Sequence, residues 1–249
     1  MKSLYNFFSI TLLFTILSVI AIFALKGFDL IFWLVVLTVL FLFIQFTGAY
    51  FIGLNFHLKS VNALNTKQKK VLLTFDDGPH LKNTPKVLSI LQKHKVNGLF
   101  FLIGQHIKGN EMVVKQIIEQ GNIIGNHSYT HHFWFDLWST KKIITDIEAC
   151  EQLIETFQIG RKLFRPPYGV TNPNISRALK KLHLTSIGWN IRSYDTSIKN
   201  VEKINARILS KLKPGAIILL HDRLDFMPDL LEKLIPAIKA EGYEFSIEV

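Results

Sequence analysis

Short apolar runs alternate with amphipathic segments along residues 70–249 of this 249-residue chain. The runs have the length and the branched and aromatic content of buried strands, and they cover residues 71–75, 96–103, 122–126, 161–164, 185–191, 216–220 and 243–249. Helix signals separate most of them: Thr84 is a candidate N-cap with Pro85 at the first helical position, and Gly121 marks a helix end. About seven strands joined by helices predict a parallel sheet covered by helices, either an incomplete barrel or a doubly wound layer.

Polar side chains follow these predicted strands where each strand ends. They are Asp76, Asp77, His127, His131, Arg165, Asp195 and His221. The carboxyl ends of parallel strands meet at one edge of a sheet, where α/β proteins carry their sites. The sequence therefore predicts that these side chains share one site.

Each motif around these residues also has a structural interpretation. The DDGP sequence at 76–79 is a good turn, and RPPYG at 165–169 is a proline-stiffened turn. The histidines of HSYTH at 127–131 are spaced i and i+4, which is compatible with a chance pair and with two ligands converging on one ion. His221 beside Asp222 is, on its own, more typical of a structural histidine. Their common order along one sheet edge is what favours a functional site.

Two apolar segments near the N terminus are each long enough to cross a bilayer. They cover residues about 7–25 and 30–54, and only Lys26 and Asp29 carry charge between them. We interpret residues 1–58 as a transmembrane hairpin. A cleaved signal peptide is the less favoured alternative, because no small-x-small cleavage site precedes Lys26 and a second apolar segment follows at once.

A basic linker at 59–69 and a domain at 70–249 complete the expected organisation. Several lysines closely follow the second apolar segment, whereas Lys26 is the only lysine between the two segments. Because positive residues favour the cytoplasmic side, this distribution predicts that both ends of the hairpin face the cytoplasm.

The chain is basic, with 29 lysines and arginines against 19 acidic residues and a formal net charge of +10. Such an excess suits an anionic partner, such as a membrane face or a charged wall polymer, and equally a plain solvated surface. The sequence has no basic stripe with interleaved aromatic residues, so we expect no nucleic-acid partner. Cys150 is the only cysteine, which excludes an internal disulfide and predicts a small buried thiol on a helix.

Four motifs together resemble a known family. TFDDGP, HSYTH, RPPYG and LLHD are similar, in this order, to the motifs of the polysaccharide deacetylases, the NodB-like carbohydrate esterases. The resemblance runs from about Lys69 to the C terminus and implies an α/β fold, an irregular, incomplete (β/α) barrel. It also implies metal-dependent hydrolysis of an N-acetyl group, or in some members an O-acetyl group, on a glycan such as a cell-envelope polysaccharide or a glycolipid.

The resemblance assigns roles to the two adjacent aspartates and the two histidines. Asp77, His127 and His131 match the ligands of a divalent metal ion, for which we expect zinc, with cobalt and manganese as alternatives. Two histidines and one carboxylate leave a coordination position open, as a catalytic site requires. Asp76 matches the general base, so the two neighbouring carboxylates would do different work.

Four further residues match parts of the hydrolytic machinery. Arg165 matches the arginine that pairs with the catalytic base, and Tyr168 matches the residue whose backbone N–H holds the oxyanion. His221 matches the general acid that protonates the leaving amine, and Asp195 would hold its ring.

One segment departs from the family pattern. RSYDT at 192–196 stands where the family usually has Asp-x-x-Asp-Trp, so Arg192 replaces the first aspartate and Thr196 replaces the tryptophan. The departure puts the wall of the sugar pocket in question. Two other functions stay open: a catalytically silent glycan-binding module and a metal hydrolase of small amides.

The resemblance and the hairpin together predict an integral protein of the bacterial cytoplasmic (inner) membrane, with membrane lipid as a partner. The side that carries the catalytic domain stays open, because acetylated envelope polymers are mostly processed outside while the lysines favour the cytoplasm. A lipid-linked precursor or a glycolipid at the inner face would reconcile the two observations.

Overall fold

The computed structural model describes residues 7–158 and 161–248 and contains a curled sheet of parallel strands with helices packed on it. The strands, in chain order, are β1 Ser60–Val61, β2 Lys70–Gly78, β3 Gly98–Leu102, β4 Ile123–Asn126, β5 Leu163–Phe164, β6 Thr185–Ile187, β7 Ile191–Arg192, β8 Ala216–His221 and β9 Glu244–Phe245. Eight of them follow the order β1-β6-β5-β4-β3-β2-β8-β7, and β9 pairs with β2. The incomplete (β/α) barrel expected from the sequence is confirmed.

Helices precede and connect the strands. They are α1 Phe7–Ala24, α2 Gly27–Tyr50, α3 Thr84–Lys93, α4 Gly104–Ile107, α5 Glu111–Glu119, α6 Thr140–Glu155, α7 Pro173–Leu182, α8 Val201–Leu209 and α9 Met227–Ala240. Local caps set some of their starts, as where the Asn172 side chain accepts a hydrogen bond from the Ile175 N–H at the start of α7. α3 begins at Thr84 itself, so the predicted cap residue lies inside the helix. Cys150 on α6 is fully buried, as expected.

β2, β3 and β8 form the centre of the sheet. Helices α3 and α9 pack against β2, and its Phe75 ring stacks on Phe100 of β3 with ring centroids 4.7 Å apart. Both rings are fully buried, which is typical of a parallel sheet covered on its faces. β2 therefore carries Asp76 and Asp77 from a rigid core to a sheltered edge.

The prediction of a single strand over residues 185–191 is wrong. Gly188, Trp189 and Asn190 separate β6 from β7. β6 pairs with β5, whereas β7 pairs with β8 at the opposite end of the sheet order. Because only three residues connect these strands, the sheet must curl until its two ends approach each other. β1, which pairs with β6, is not among the predicted strands.

α1 and α2 are the two apolar segments, and both are long and apolar enough to span a membrane. α2 begins at Gly27 and ends at Tyr50, and the last part of the predicted span forms a 3₁₀ turn at Ile52–Leu54 instead. The end of α2 contacts the barrel, because the Thr171 N–H donates to the Ala49 carbonyl oxygen over 2.9 Å. This hydrogen bond holds the helix end beside the RPPYG turn.

Candidate active site

The predicted site residues lie where β2, β4, β5, β7 and β8 end. β2 and β8 pair in register so that Asp76 lies opposite His221. β4 and β5 pair at their last residues, directly before His127 and Arg165. The sheet edge thus brings together side chains that are far apart in the sequence.

Asp77, His127 and His131 form a cluster that could hold a metal ion. Their nearest ligand atoms all lie within 4.8 Å of one another. Asp77 Oδ1 is 3.7 Å from His127 Nε2 and 3.6 Å from His131 Nε2. Among residues 7–158 and 161–248, these are the histidine, cysteine or carboxylate side chains that lie close enough together, in a group of three or more, to bind one metal ion.

A divalent cation fits this donor set. Ligands about 2.1 Å from a tetrahedral cation lie about 3.4 Å from one another, close to the separations around Asp77 Oδ1. His127 Nδ1 lies 2.8 Å from the Arg165 carbonyl oxygen, which can only accept, so Nδ1 carries the proton and Nε2 presents its lone pair.

Electrostatics give the ligands the protonation states that metal binding needs. Burial, with the charge of His127 adding to it, lowers the pKa of His131 to about 3, so its imidazole is neutral. Burial alone would raise the pKa of Asp77, but the surrounding histidines and Arg223 outweigh it and lower the pKa to about 2. A neutral imidazole and an ionised carboxylate are the forms that bind a cation.

The HSYTH loop owes its shape to α6. The Asp146 carboxylate accepts the Tyr129 N–H over 2.8 Å and the Thr130 hydroxyl over 2.7 Å. Ser128 and His131 have φ angles of 66° and 46°, which turn the chain sharply between the two histidines of the candidate cluster. A carboxylate on a neighbouring helix thus shapes the loop that carries His131, and no sequence spacing indicates this.

Asp76 is held by a buried arginine. The Arg165 side chain is fully buried, and its Nη1 donates to Asp76 Oδ1 over 2.7 Å and to Thr74 Oγ1 over 2.8 Å. Its Nε and Nη2 donate to the carbonyl oxygens of Ile187 and Gly188 over 3.1 and 2.9 Å. Four hydrogen bonds therefore fix the guanidinium, and Asp76 faces it with one oxygen while the other lies 3.7 Å from His127 Nε2.

His221 and Asp195 form a second hydrogen-bonded pair at the site. Asp195 Oδ1 accepts from His221 Nδ1 and Oδ2 accepts from the His221 backbone N–H, both over 2.8 Å. Burial alone would lower the pKa of His221, but the hydrogen bond and charge of Asp195, with Asp76 and Asp77 adding, outweigh it and raise the pKa. The ring is thus held as a proton donor with Nε2 available.

Tyr168 lies at the tip of the RPPYG turn. Its φ of 58° and the φ of 71° at Gly169 reverse the chain after the two prolines. Tyr168 is 48% exposed, and its ring packs edge-on against His131 with centroids 4.8 Å apart. The turn therefore places Tyr168 next to the Asp77, His127 and His131 cluster.

Similar proteins show which family this chain belongs to. A family model described as polysaccharide deacetylase matches residues 63–187. The peptidoglycan-N-acetylmuramic acid deacetylase of Bacillus subtilis is 34% identical over 188 residues, which cover 73% of this chain and 70% of that protein. The chain belongs to the polysaccharide deacetylase family.

Solved structures of polysaccharide deacetylases share this fold. A peptidoglycan N-acetylglucosamine deacetylase in complex with 4-naphthalen-1-yl-N-oxidanyl-benzamide has a TM-score of 0.70 and 30% identity, over 75% of this chain and 89% of that chain. A pseudoenzyme of carbohydrate esterase family 4 from Bacillus anthracis also has a TM-score of 0.70, with 26% identity over 75% of this chain and 66% of that one. Because a pseudoenzyme has the same fold, activity has to be argued from the side chains.

Arg223 is a site residue that the family motifs do not identify. It directly follows LLHD, and its Nε donates to Asp77 Oδ2 over 2.8 Å while Oδ1 faces the two histidines. Arg223 thereby fixes one oxygen of Asp77 and leaves the other directed at the two histidines. A basic residue directly after the motif is the only sequence signal for this contact.

Close packing against Asp222 requires a glycine at position 78 of the DDGP motif. The Asp222 carboxylate is fully buried and accepts the Thr84 hydroxyl over 2.5 Å, and burial raises its pKa to about 7. A Cβ at Gly78 would lie 2.7 Å from Asp222 Oδ2, closer than real contacts allow. Gly78 therefore lets LLHD pack directly beneath the two aspartates.

Proposed function

We propose that this protein hydrolyses the N-acetyl group, or an O-acetyl group, of an acetylated cell-envelope glycan or glycolipid in a metal-dependent reaction. The observation that carries the proposal is the Asp77, His127 and His131 cluster beside two separate acid–base pairs. Relatives in the family support the substrate class, since one acts on peptidoglycan and another is a chitooligosaccharide deacetylase from Sinorhizobium fredii.

The two adjacent aspartates divide the work of the first step. A zinc, cobalt or manganese ion held by Asp77, His127 and His131 would polarise the acetyl carbonyl and lower the pKa of a water molecule. Asp76 accepts the proton of the attacking water, and Arg165 keeps its carboxylate ionised and oriented.

The remaining groups handle the charge and the proton that the reaction creates. The Tyr168 N–H donates a hydrogen bond to the developing oxyanion, which stabilises the transition state. The His221 ring gives its Nε2 proton to the leaving nitrogen as the carbon–nitrogen bond breaks. Asp195 holds the ring through Nδ1 and stabilises its protonated form.

Asp195→Asn is expected to shift the alkaline limb of the pH profile to lower pH. The general acid must be protonated, so activity falls as pH rises through the pKa of His221. Removing the Asp195 charge takes away the main cause that raises this pKa, and the fall then begins at lower pH. The measurement is kcat/KM for acetate release against pH. An alkaline limb at an unchanged position would rule out the assignment of Asp195.

The side chains favour an active enzyme over a catalytically silent binding module. Such a module has no need for a base, an acid and three ligands, whereas Asp76, His221 and the cluster are all present here. A hydrolase of small amides would use the same groups. Preference for oligosaccharides over small acetamides separates that alternative from a glycan deacetylase.

The test of the proposal is acetate release by the full-length chain in detergent. We expect release from N-acetylglucosamine oligomers or peptidoglycan fragments that stops on chelation and returns when zinc or cobalt is added, because nitrogen and oxygen donors of this kind bind both metals. Metal binding without acetate release from any acetylated glycan would overturn the proposal and favour the silent module.

We propose further that α1 and α2 cross the cytoplasmic membrane as a hairpin with the catalytic domain on the cytoplasmic face. Their length and composition support two spans, and the lysines after the second support the side. A reporter fused to the C terminus that is active only in the cytoplasm is the expected result. Release of the protein from membranes by carbonate, or activity of a periplasmic reporter, would contradict it.

A further inference from the structure

A cavity lies where the end of α2 meets the barrel. Its volume is about 600 Å³, and it is lined by residues from the end of α2 and the turn after it, by Asn62, by the segment between β6 and α8, and by α8 and the residues that follow it. The side chains that matter here are Tyr50, Trp189, Arg192, Tyr194, Arg207 and Lys211. The RSYDT departure from the family pattern therefore contributes a wall of this cavity.

Three cations line the cavity without a carboxylate partner. Within residues 7–158 and 161–248, Arg192, Arg207 and Lys211 form no ion pair with an acidic side chain. Uncompensated positive charge of this density attracts an anion. Guanidinium groups present paired N–H donors that match phosphate oxygens.

Neutral groups hold the two arginines in place. Both guanidinium groups lie against the Tyr194 ring, with Cζ atoms 5.1 Å from its centroid for Arg192 and 4.3 Å for Arg207. Arg207 Nε also donates to the Arg192 carbonyl oxygen over 3.1 Å, and Arg192 Nη1 to the Tyr50 hydroxyl over 3.5 Å. These contacts use part of each side chain and leave its other donors for a ligand.

An apolar cavity adjoins the cationic one. It has a volume of about 480 Å³ and is lined by apolar side chains of the hairpin, such as Ile10 and Phe43, and by Phe56. Thr47 and Leu54 line both cavities. A ligand with an anionic group and an apolar chain could therefore occupy both, with the chain against the hairpin and the anion against the arginines.

A single aromatic wall separates the cationic cavity from the candidate active site. The Trp189 ring centroid is 6.0 Å from Arg192 Cζ on the cavity side and 5.5 Å from Cζ of the buried Arg165. Tyr194 directly precedes Asp195, which holds His221. The cavity thus adjoins residues that hold Asp76 and His221 in place.

We propose that this cavity binds the phosphate of a lipid-linked saccharide and so presents its acetylated sugar to the active site. The proposal rests on the proposed deacetylase function and narrows its substrate to a glycan joined to lipid through a phosphate or diphosphate. The adjoining apolar cavity favours a phosphate attached to a lipid chain over free phosphate as the ligand. The position of the cationic cavity beside the candidate active site favours a substrate over a bulk membrane phospholipid as the ligand.

The test compares two substrates with the same acetylated sugar, using the full-length chain in nanodiscs of phosphatidylcholine. One is N-acetylglucosamine joined to a polyprenol through diphosphate, and the other is a lipid-free N-acetylglucosamine oligomer. In Arg192→Gln and Lys211→Gln, kcat/KM for the lipid substrate should fall at least tenfold relative to that for the oligomer, mainly through KM. Lys213→Gln is the control, because Lys213 is exposed and lies outside the lining. Equal losses on both substrates would overturn the proposal.

A binding experiment separates failure of this inference from failure of the deacetylase function. A polyprenyl monophosphate, which carries no sugar and cannot be deacetylated, is titrated against the nanodisc-embedded protein. Its affinity is measured for the wild type, Arg192→Gln and Lys211→Gln. Weaker binding in both variants supports the site even if no glycan is deacetylated. Unchanged binding in both overturns it even if the oligomer is deacetylated.

Competitors identify the source of the phosphate. If the site is specific for a lipid phosphate, millimolar inorganic phosphate and added phosphatidylglycerol should each displace only a small fraction of the bound polyprenyl monophosphate. Displacement by inorganic phosphate at similar concentration would mean a free-phosphate site, and displacement by phosphatidylglycerol would mean a general lipid site. Either result overturns the assignment to a substrate.

Discussion

Asp76→Asn and Asp77→Asn are both expected to reduce acetate release strongly, for different reasons. The amide introduced by Asp76→Asn cannot take a proton from water, so kcat should fall by about 10²- to 10⁴-fold, the usual contribution of a general base, while metal binding persists. Asp77→Asn removes the only carboxylate of the ligand cluster, so metal affinity and activity should be lost together.

The two effects are separated by measuring bound zinc and acetate release on the same samples. Asp229→Asn is the matched control, because Asp229 is an exposed aspartate on α9 that forms no ion pair with the described residues of the site, and both quantities should stay at wild-type values. Loss of zinc in Asp76→Asn would contradict the division of roles. So would full zinc binding in Asp77→Asn.

The family motif predicts that both adjacent aspartates face one site, whereas the alternation of side chains along a strand does not. Neighbouring residues on an extended strand point to opposite faces, so two adjacent carboxylates at a strand end would normally diverge. At Asp77 the backbone has already left the extended conformation, with a φ of 71°, and both carboxylates approach His127. The motif predicts this site, whereas periodicity alone does not.

Contacts between distant elements could not be predicted from the sequence. Asp146 of α6 orients the HSYTH loop, and Arg223 holds the second oxygen of Asp77. Neither residue belongs to a motif, and both act only because the fold brings their elements to the sheet edge. The expectation of one strand at 185–191 failed for a similar reason, since its apolar pattern continues through the three residues that cross between the sheet ends.

The same crossing segment links the fold to the two proposals. The Ile187 and Gly188 carbonyl oxygens accept from Arg165, and Trp189 follows directly as the wall of the cationic cavity. The end of β6 and the residues that leave the sheet after it therefore hold Arg165, the partner of Asp76, on one side and line the proposed phosphate site on the other. A regular strand through this segment could not supply both carbonyl acceptors and the wall.

Arg165→Met is expected to cause the largest loss of stability of any substitution in the site. It leaves the Asp76 carboxylate buried without its cation and frees the acceptors Thr74, Ile187 and Gly188. Breaking a buried ion pair from one side costs about 3–5 kcal/mol. For a domain of this size, that corresponds to a fall in melting temperature of about 6–20 °C.

The double variant Arg165→Met with Asp76→Leu shows whether the charge or the packing is responsible. Replacing both members of a buried ion pair by apolar groups is often neutral, so the double variant should recover most of the lost melting temperature while remaining inactive. Arg177→Met, at an exposed arginine on α7, is the control for the change of side chain and should melt as the wild type does. If the double variant melts as low as Arg165→Met, the hydrogen bonds from Arg165 to the crossing segment, and not the charge of Asp76, account for the stability. Melting of Arg165→Met at the wild-type temperature would mean that the buried arginine serves the base alone.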